Sequence, residues 1–218
     1  MQKRFLAIVV LSTIFLASTS SVVSAVVPLI NLPTSLVSIR IRCPDPNCYY
    51  IVTLGAVPSD YHVSNGEYLG WCVDEYHLIY EGKTYWGRMY SSYDPANPQA
   101  DPDWDKVNYI LNHKQGNKDD VQAAIWYFVD GGTMPSTAAG QAMVNEAIAN
   151  GQGFVPMSGQ ILAVVLWINC RTQVPIIEVI VPLQQVLPEY PLGSVLGIAT
   201  FVAALGIFKY RRKIPKIA

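Results

Sequence analysis

Hydrophobic and polar positions change rhythm along this chain. From Ser35 to Arg42 they alternate, with Val37, Ile39 and Ile41 set against Ser38, Arg40 and Arg42, the period of a strand with one buried face. Tyr49–Leu54 forms a second such run, and Cys43-Pro44-Asp45-Pro46-Asn47-Cys48 between the two is rich in turn formers, which predicts a hairpin. Glu67–Val73 and Lys83–Tyr90 read as two further strands. The spacing then becomes helical. Val107, Ile110 and Leu111 follow Asp101 or Asp103 as cap. Val121, Ala124, Ile125 and Phe128 follow Asp119 as cap and stop at Gly131-Gly132. A third helix is expected from about Ser136 to Ala149, carrying Met143, Val144, Ala147 and Ile148 and ending at Gly151. Strands return at Gln160–Trp167 and Pro175–Val181. Strands, a helical block, then strands is an α+β order, and the expected architecture is a β-sandwich or barrel with an inserted helical block.

The two ends break this pattern. Lys3-Arg4, an apolar run from Phe5 to Ala17 and the small residues Val23-Ser24-Ala25 read as a signal peptide over residues 1–25, cleaved after Ala25. At the other end, residues 183–191 form a Pro-containing spacer. Residues 192–208 form an apolar segment at the lower length limit for a transmembrane helix, and 209–218 a basic cytoplasmic tail. Pro188-Glu189-Tyr190-Pro191 followed by a short apolar helix and a basic stop resembles the sorting signals of archaeal surface proteins, with Tyr190 where members usually carry Phe. That resemblance implies an archaeosortase as partner and exchange of the tail for a lipid. A permanent single-pass anchor is the other reading. Either one puts an extracellular domain, residues 26–182, at the cell surface.

Charge agrees with export. Of 15 Lys and Arg and 16 Asp and Glu, residues 1–25 and 192–218 hold seven bases and no acid. The middle therefore has eight bases against all 16 acids, a net of about −8. An acidic domain lacks the basic patch that binds a phosphate backbone, so nucleic acid is not an expected partner.

Within the helical block, Gln122 stands out. It shares a helix face with Trp126 and Val129 and lies beside Val121 and Ile125, so a buried amide is expected there. Such an amide must be hydrogen-bonded, at a cost of roughly 1–3 kcal/mol if it is not. It either bonds backbone across a helix–sheet junction or has been consumed in a covalent bond. Cys72, between Trp71 and Val73 in a strand, is by itself a core thiol or half of a disulfide.

Trp71-Cys72-Val73 followed by Val121-Gln122-Ala123-Ala124-Ile125-Trp126 resembles the paired motifs of the Cys–Gln thioester domains found on bacterial and archaeal surface proteins. The resemblance covers most of residues 60–182, including Asn108–Asn112. Two departures are Trp71, where Tyr, Phe or Leu is commoner, and Val121, where many members carry Thr. It implies an internal thioester between Cys72 and Gln122 in a pocket of Trp71, Val121, Ile125 and Trp126. It further implies adhesion by acylation of an amine on a protein or other surface ligand, without cofactor, metal or enzymatic turnover. The alternative is a passive structural or binding module stapled by disulfides. Cys43 and Cys48 flank the hairpin turn and could bridge each other, leaving Cys72 and Cys170 to pair.

Other constellations are weaker. Cys72 with His77 or His113 carries no hydrolase signature. Asp101-x-Asp103-x-Asp105 begins like a calcium loop, but Lys106 stands where glycine is needed and Asn112 where the closing Glu belongs. Cys43, Cys48 and His62 are too few for a zinc site. Tyr76, Tyr80, Tyr85, Trp86, Tyr90 and Tyr93 could face a core or form a binding surface.

Overall fold

The computed structural model describes residues 30–183 apart from 44, 100–102 and 130. The signal peptide, the sorting motif Pro188-Glu189-Tyr190-Pro191, the apolar segment 192–208 and the basic tail lie outside the described residues, as does Asp101. Among the described residues no helix is long and apolar enough to cross a membrane.

The elements run β1 (Val37–Arg42), β2 (Tyr50–Gly55), β3 (Gly66–Cys72), β4 (Thr84–Ser91), α1 (Trp104–Asn112), α2 (Lys118–Val129), α3 (Ala138–Asn150), β5 (Ile161–Trp167) and β6 (Pro175–Ile180). The expected strands and helices all appear, most ends shifting by one or two residues. The strands pair antiparallel in the order β1-β2-β3-β6-β5-β4, and β1 meets β4 to close the sheet. Of the two architectures left open by the pattern, the molecule is the barrel. Closure removes the free edges that a sandwich of six strands would keep.

Two apolar clusters follow from the strand periods. Val37, Ile39, Ile41, Val52, Leu54, Met89, Val164, Leu166 and Ile177 fill the barrel. Their strand neighbours Ile51, Trp71, Ala163, Val165 and Ile176 face outward, under Val107, Ile110, Leu111, Ala124, Ile125 and Val144 of the helices. Strand β1 has no helix over it, so Arg40 and Arg42 are exposed between its buried residues. Strand β5 is covered on both faces, which is why Ile161–Trp167 reads as a continuous apolar run rather than an alternation.

The start of α2 differs from expectation. Asn117, not Asp119, caps it: Asn117 Oδ1 accepts from the N–H groups of Asp119 (2.8 Å) and Asp120 (3.1 Å). Asp120 returns the bond, its Oδ2 accepting from Asn117 N at 2.8 Å, a reciprocal capping box. Asp120 Oδ1 also accepts from the Thr137 hydroxyl at 2.5 Å, and Thr137 Oγ1 caps α3 by accepting from Gly140 N at 3.1 Å. These bonds hold Asp120 below the usual carboxylate range, the Asn117 N–H first and the Thr137 hydroxyl second. They also set where α2 begins, and therefore where Gln122 sits. Asp103 occupies the position before α1 but makes no side-chain cap bond to that helix's N–H groups. It pairs instead with Lys106.

Candidate functional site at the end of strand β3

The site begins with a gap in the β-ladder. Tyr50 pairs with Gly70 in the β2–β3 register, so two positions further along Cys48 would stand opposite Cys72. Strand β2 starts only at Tyr50, however, and Cys48 lies in the bend before it. On the other side Cys72 pairs with Pro175, and Val73 N donates to Val174 O at 3.0 Å. Bonding direction alternates along an antiparallel strand, so the N–H and C=O of Cys72 point away from β6 into the place Cys48 vacates. Buried main-chain groups there need partners.

Gln122 supplies them. Its Oε1 accepts from Cys72 N at 2.9 Å and its Nε2 donates to Cys72 O at 2.7 Å. The carboxamide acts as a substitute peptide unit in the ladder. Both residues are out of solvent, Cys72 at 0% and Gln122 at 1% exposure. The helix–sheet junction bond foreseen for a buried Gln122 is therefore present, and it joins the two residues singled out by the paired motifs.

The Cys72 side chain points into the barrel cluster, while Trp71 faces the helices. The Cys72 thiol donates to Asp74 O at 3.0 Å, and Asp74 N lies 3.4 Å from the sulfur. Gln173 ties the same loop down: its Nε2 donates to Asp74 O at 2.9 Å, and its Oε1 accepts from the Tyr50 hydroxyl at 2.5 Å. Burial, then the neighbouring Cys72, pushes the Tyr50 phenol well above its ordinary range, so Tyr50 stays a neutral donor. Gly70 is part of the same construction. A Cβ there would lie 2.6 Å from Val52 Cγ2 and 3.2 Å from Ile176 O, so only glycine lets β2, β3 and β6 come this close.

Of the four residues named for a pocket, Trp71, Val121 and Ile125 belong to the helix-side cluster and Trp126 packs against it. Trp71 is fully buried, its Nε1 donating to Glu178 Oε1 at 2.7 Å. Glu178 also holds Lys114 Nζ at 2.6 and 2.7 Å, and that ammonium lies 5.7 Å from the Trp71 ring centroid. Val121 and Ile125 are buried in the cluster that holds Trp71. Trp126 packs against both clusters and meets Tyr49 edge to face at 5.6 Å. Its indole Nε1 is buried and has no hydrogen-bond partner.

No disulfide joins Cys43, Cys48, Cys72 or Cys170. Cys43 and Cys48, which flank the hairpin turn and could bridge, are not joined here: Cys48 turns into the core and its Sγ donates to Tyr50 O at 2.7 Å. Burial pushes both the Cys43 and Cys48 thiols up, away from the thiolate form that exchange requires. Cys72 does not pair with Cys170, which is exposed. His77 is engaged by Asp74, Nδ1 to Oδ2 at 2.7 Å, and His113 stacks on Tyr109 at 4.0 Å. Among the six aromatics from Tyr76 to Tyr93, Tyr76, Tyr80 and Trp86 are exposed while Tyr93 bonds Phe154 O.

A second junction, missed in the sequence, uses the same device. Asn112 Oδ1 accepts from Ile161 N at 2.8 Å and its Nδ2 donates to Ile161 O at 2.7 Å. One helical turn earlier, Asn108 Oδ1 accepts from Ala163 N at 2.8 Å. Two residues of β5 span about 6.6 Å and four residues of α1 about 6 Å, so an i,i+4 pair matches an i,i+2 pair on the strand. Two Asn at that spacing on an otherwise apolar helix face were the available signal.

No family model matches the chain, and no curated protein does. Among solved structures, the N-terminal domain of the Streptococcus pyogenes pilus tip adhesin Cpa is similar, with 12% identity and a TM-score of 0.41 over 71% of this chain and 96% of that one. A likeness so distant assigns nothing to this chain, and the site is read from its own geometry.

Proposed function

We propose that Cys72 and Gln122 form an internal thioester and that the chain uses it to acylate an amine on another surface. The observation that carries this reading is the Gln122 carboxamide, buried and held through both polar atoms by the residue that bears the thiol. The Cys72 sulfur attacks Gln122 Cδ, the Cδ–Nε2 bond breaks, and the thiol proton leaves with Nε2 as ammonia. A primary amine then attacks Cδ, forms an amide and returns the sulfur to Cys72 as a thiol. Each chain reacts once, so this is covalent attachment rather than turnover. The walls of Trp71, Val121, Ile125 and Trp126 keep water from the acyl group.

The target is a protein or other amine-bearing surface ligand. Export by residues 1–25 and retention by residues 192–208, or by a lipid put in place by an archaeosortase at Pro188–Pro191, would present the domain at the cell surface. That part rests on the sequence pattern of the two ends.

One observation favours a second reading, a passive binding or structural module. Asn112 clasps Ile161 in the same way with no thiol present, so a carboxamide clasp is sufficient as pure structure. Intact mass of the full chain, before and after methylamine, separates the two. Loss of one ammonia, regained as a methylamide on Gln122, supports the thioester. A full, amine-indifferent mass leaves the passive module.

A further inference from the structure

Both steps of the proposed chemistry pass through a tetrahedral carbon at Gln122 Cδ, with negative charge developing on Oε1. Such a charge in a water-poor pocket needs donors already in place. One is present: Cys72 N donates to Oε1 at 2.9 Å. Charge on an oxygen of this kind is ordinarily met by more than one donor.

The next turn of α2 holds an unexplained donor. Trp126 Nε1 is buried without a hydrogen-bond partner, a state that among the described residues it shares with Asn97 Nδ2 and that costs roughly 1–3 kcal/mol. By contrast Trp71 satisfies its indole on Glu178 and Trp104 on Gln99 O. Trp126 lies four residues after Gln122 on α2, where side chains are adjacent. Helical side chains lean toward the helix N-terminus, so its indole covers the turn that carries Gln122. Two further contacts fix it there. The ring packs edge to face on Tyr49, beside the ladder position that Gln122 fills, and touches both the cluster of Trp71 and the cluster of Cys72.

We infer that the Trp126 indole N–H is the second oxyanion donor at Gln122, and that it is left unpartnered in the resting carboxamide because its acceptor is the oxyanion of the tetrahedral state. The inference rests on the thioester reading and gives one of its wall residues a catalytic role. It also accounts for why the donor is tolerated: an interaction made only in the transition state accelerates the reaction, whereas one made equally in the ground state does not.

The test uses the full chain as wild type, as Trp126→Phe, and with residue 126 replaced by benzothienylalanine, the isostere of Trp that lacks the N–H. Methylamine uptake at Gln122 is timed by mass, and melting is followed in parallel. Both variants should react about 10²-fold more slowly, by the same factor at each pH because an indole N–H does not titrate. The isostere should melt no lower than wild type, since it removes a buried donor that had no partner. Wild-type rates in the isostere would overturn the inference and leave the thioester standing. Slow reaction accompanied by a lower melting point in the isostere would also overturn it, assigning the indole N–H a structural role. A wild-type chain that never loses ammonia would overturn both readings.

Discussion

The carboxamides of Asn112 and Gln122, each carried on a helix, complete the barrel in the same way, and Gln122 does so on the backbone of a cysteine. Asn112 closes the ladder at Ile161 and Gln122 closes it at Cys72, each with one accepted and one donated bond of 2.7–2.9 Å. Around Asn112 the helix and strand repeats coincide, and Asn108 extends the match to Ala163. The partner of Gln122 carries a thiol and precedes a tied-down loop, and an unpartnered indole N–H follows four residues on along α2. The pairing itself is explained by the need to satisfy main-chain groups where a neighbouring strand has ended. What calls for chemistry is the surplus at one clasp over the other.

The difference can be broken at several points. Cys72→Ala should have the largest effect, abolishing ammonia loss and methylamine uptake completely while the Asn112 clasp and the barrel persist. Mass and circular dichroism read the two outcomes. Gln122→Ala removes the reaction too, and it strands the Cys72 N–H and C=O in the core. It should cost roughly 2–5 kcal/mol in urea unfolding. Asn112→Ala removes the matching clasp at a half-buried position that water can reach. It should cost about 1–2 kcal/mol and leave amine uptake unchanged, which makes it the control for a purely structural carboxamide.

Smaller effects lie further from the sulfur. Asp120 is held below its unfolded value near 3.9 by the α2 capping box and Thr137. Its stabilising contribution is therefore complete above that unfolded value and fades as pH falls through the lower folded one. Asp120→Ala should lower stability by about 1 kcal/mol at pH 7 and flatten the acid limb of the melting curve. Cys170→Ser should change neither mass loss nor melting, because Cys170 is exposed and unpaired with Cys72. A large effect there would revive a Cys72–Cys170 bridge.

Much of this was legible in the residues. Strand alternation in Val37–Arg42 and helical spacing from Val107 onward reflect local periods, and those survive in the fold. The burial of Gln122 followed from its apolar surroundings on α2. Barrel closure did not, because the β1–β4 pairing depends on which strands are neighbours rather than on any one strand's pattern. The Asn117 cap was hidden by Asp119 and Asp120, since all three types cap well and only the backbone turn decides among them. The inward turn of Cys48 was equally hidden, because spacing alone leaves it free to face Cys43 or the core. The Asn112 clasp needed a second element, β5, before its spacing meant anything.

The most direct test is a crystal structure of the chain grown free of amines, in which the two clasps serve as each other's reference. The thioester account predicts continuous density from Cys72 Sγ to Gln122 Cδ with Nε2 gone, beside an intact Asn112 carboxamide on Ile161. An intact Gln122 carboxamide, still bonded through both atoms to the backbone of Cys72 as Asn112 is to Ile161, would contradict it.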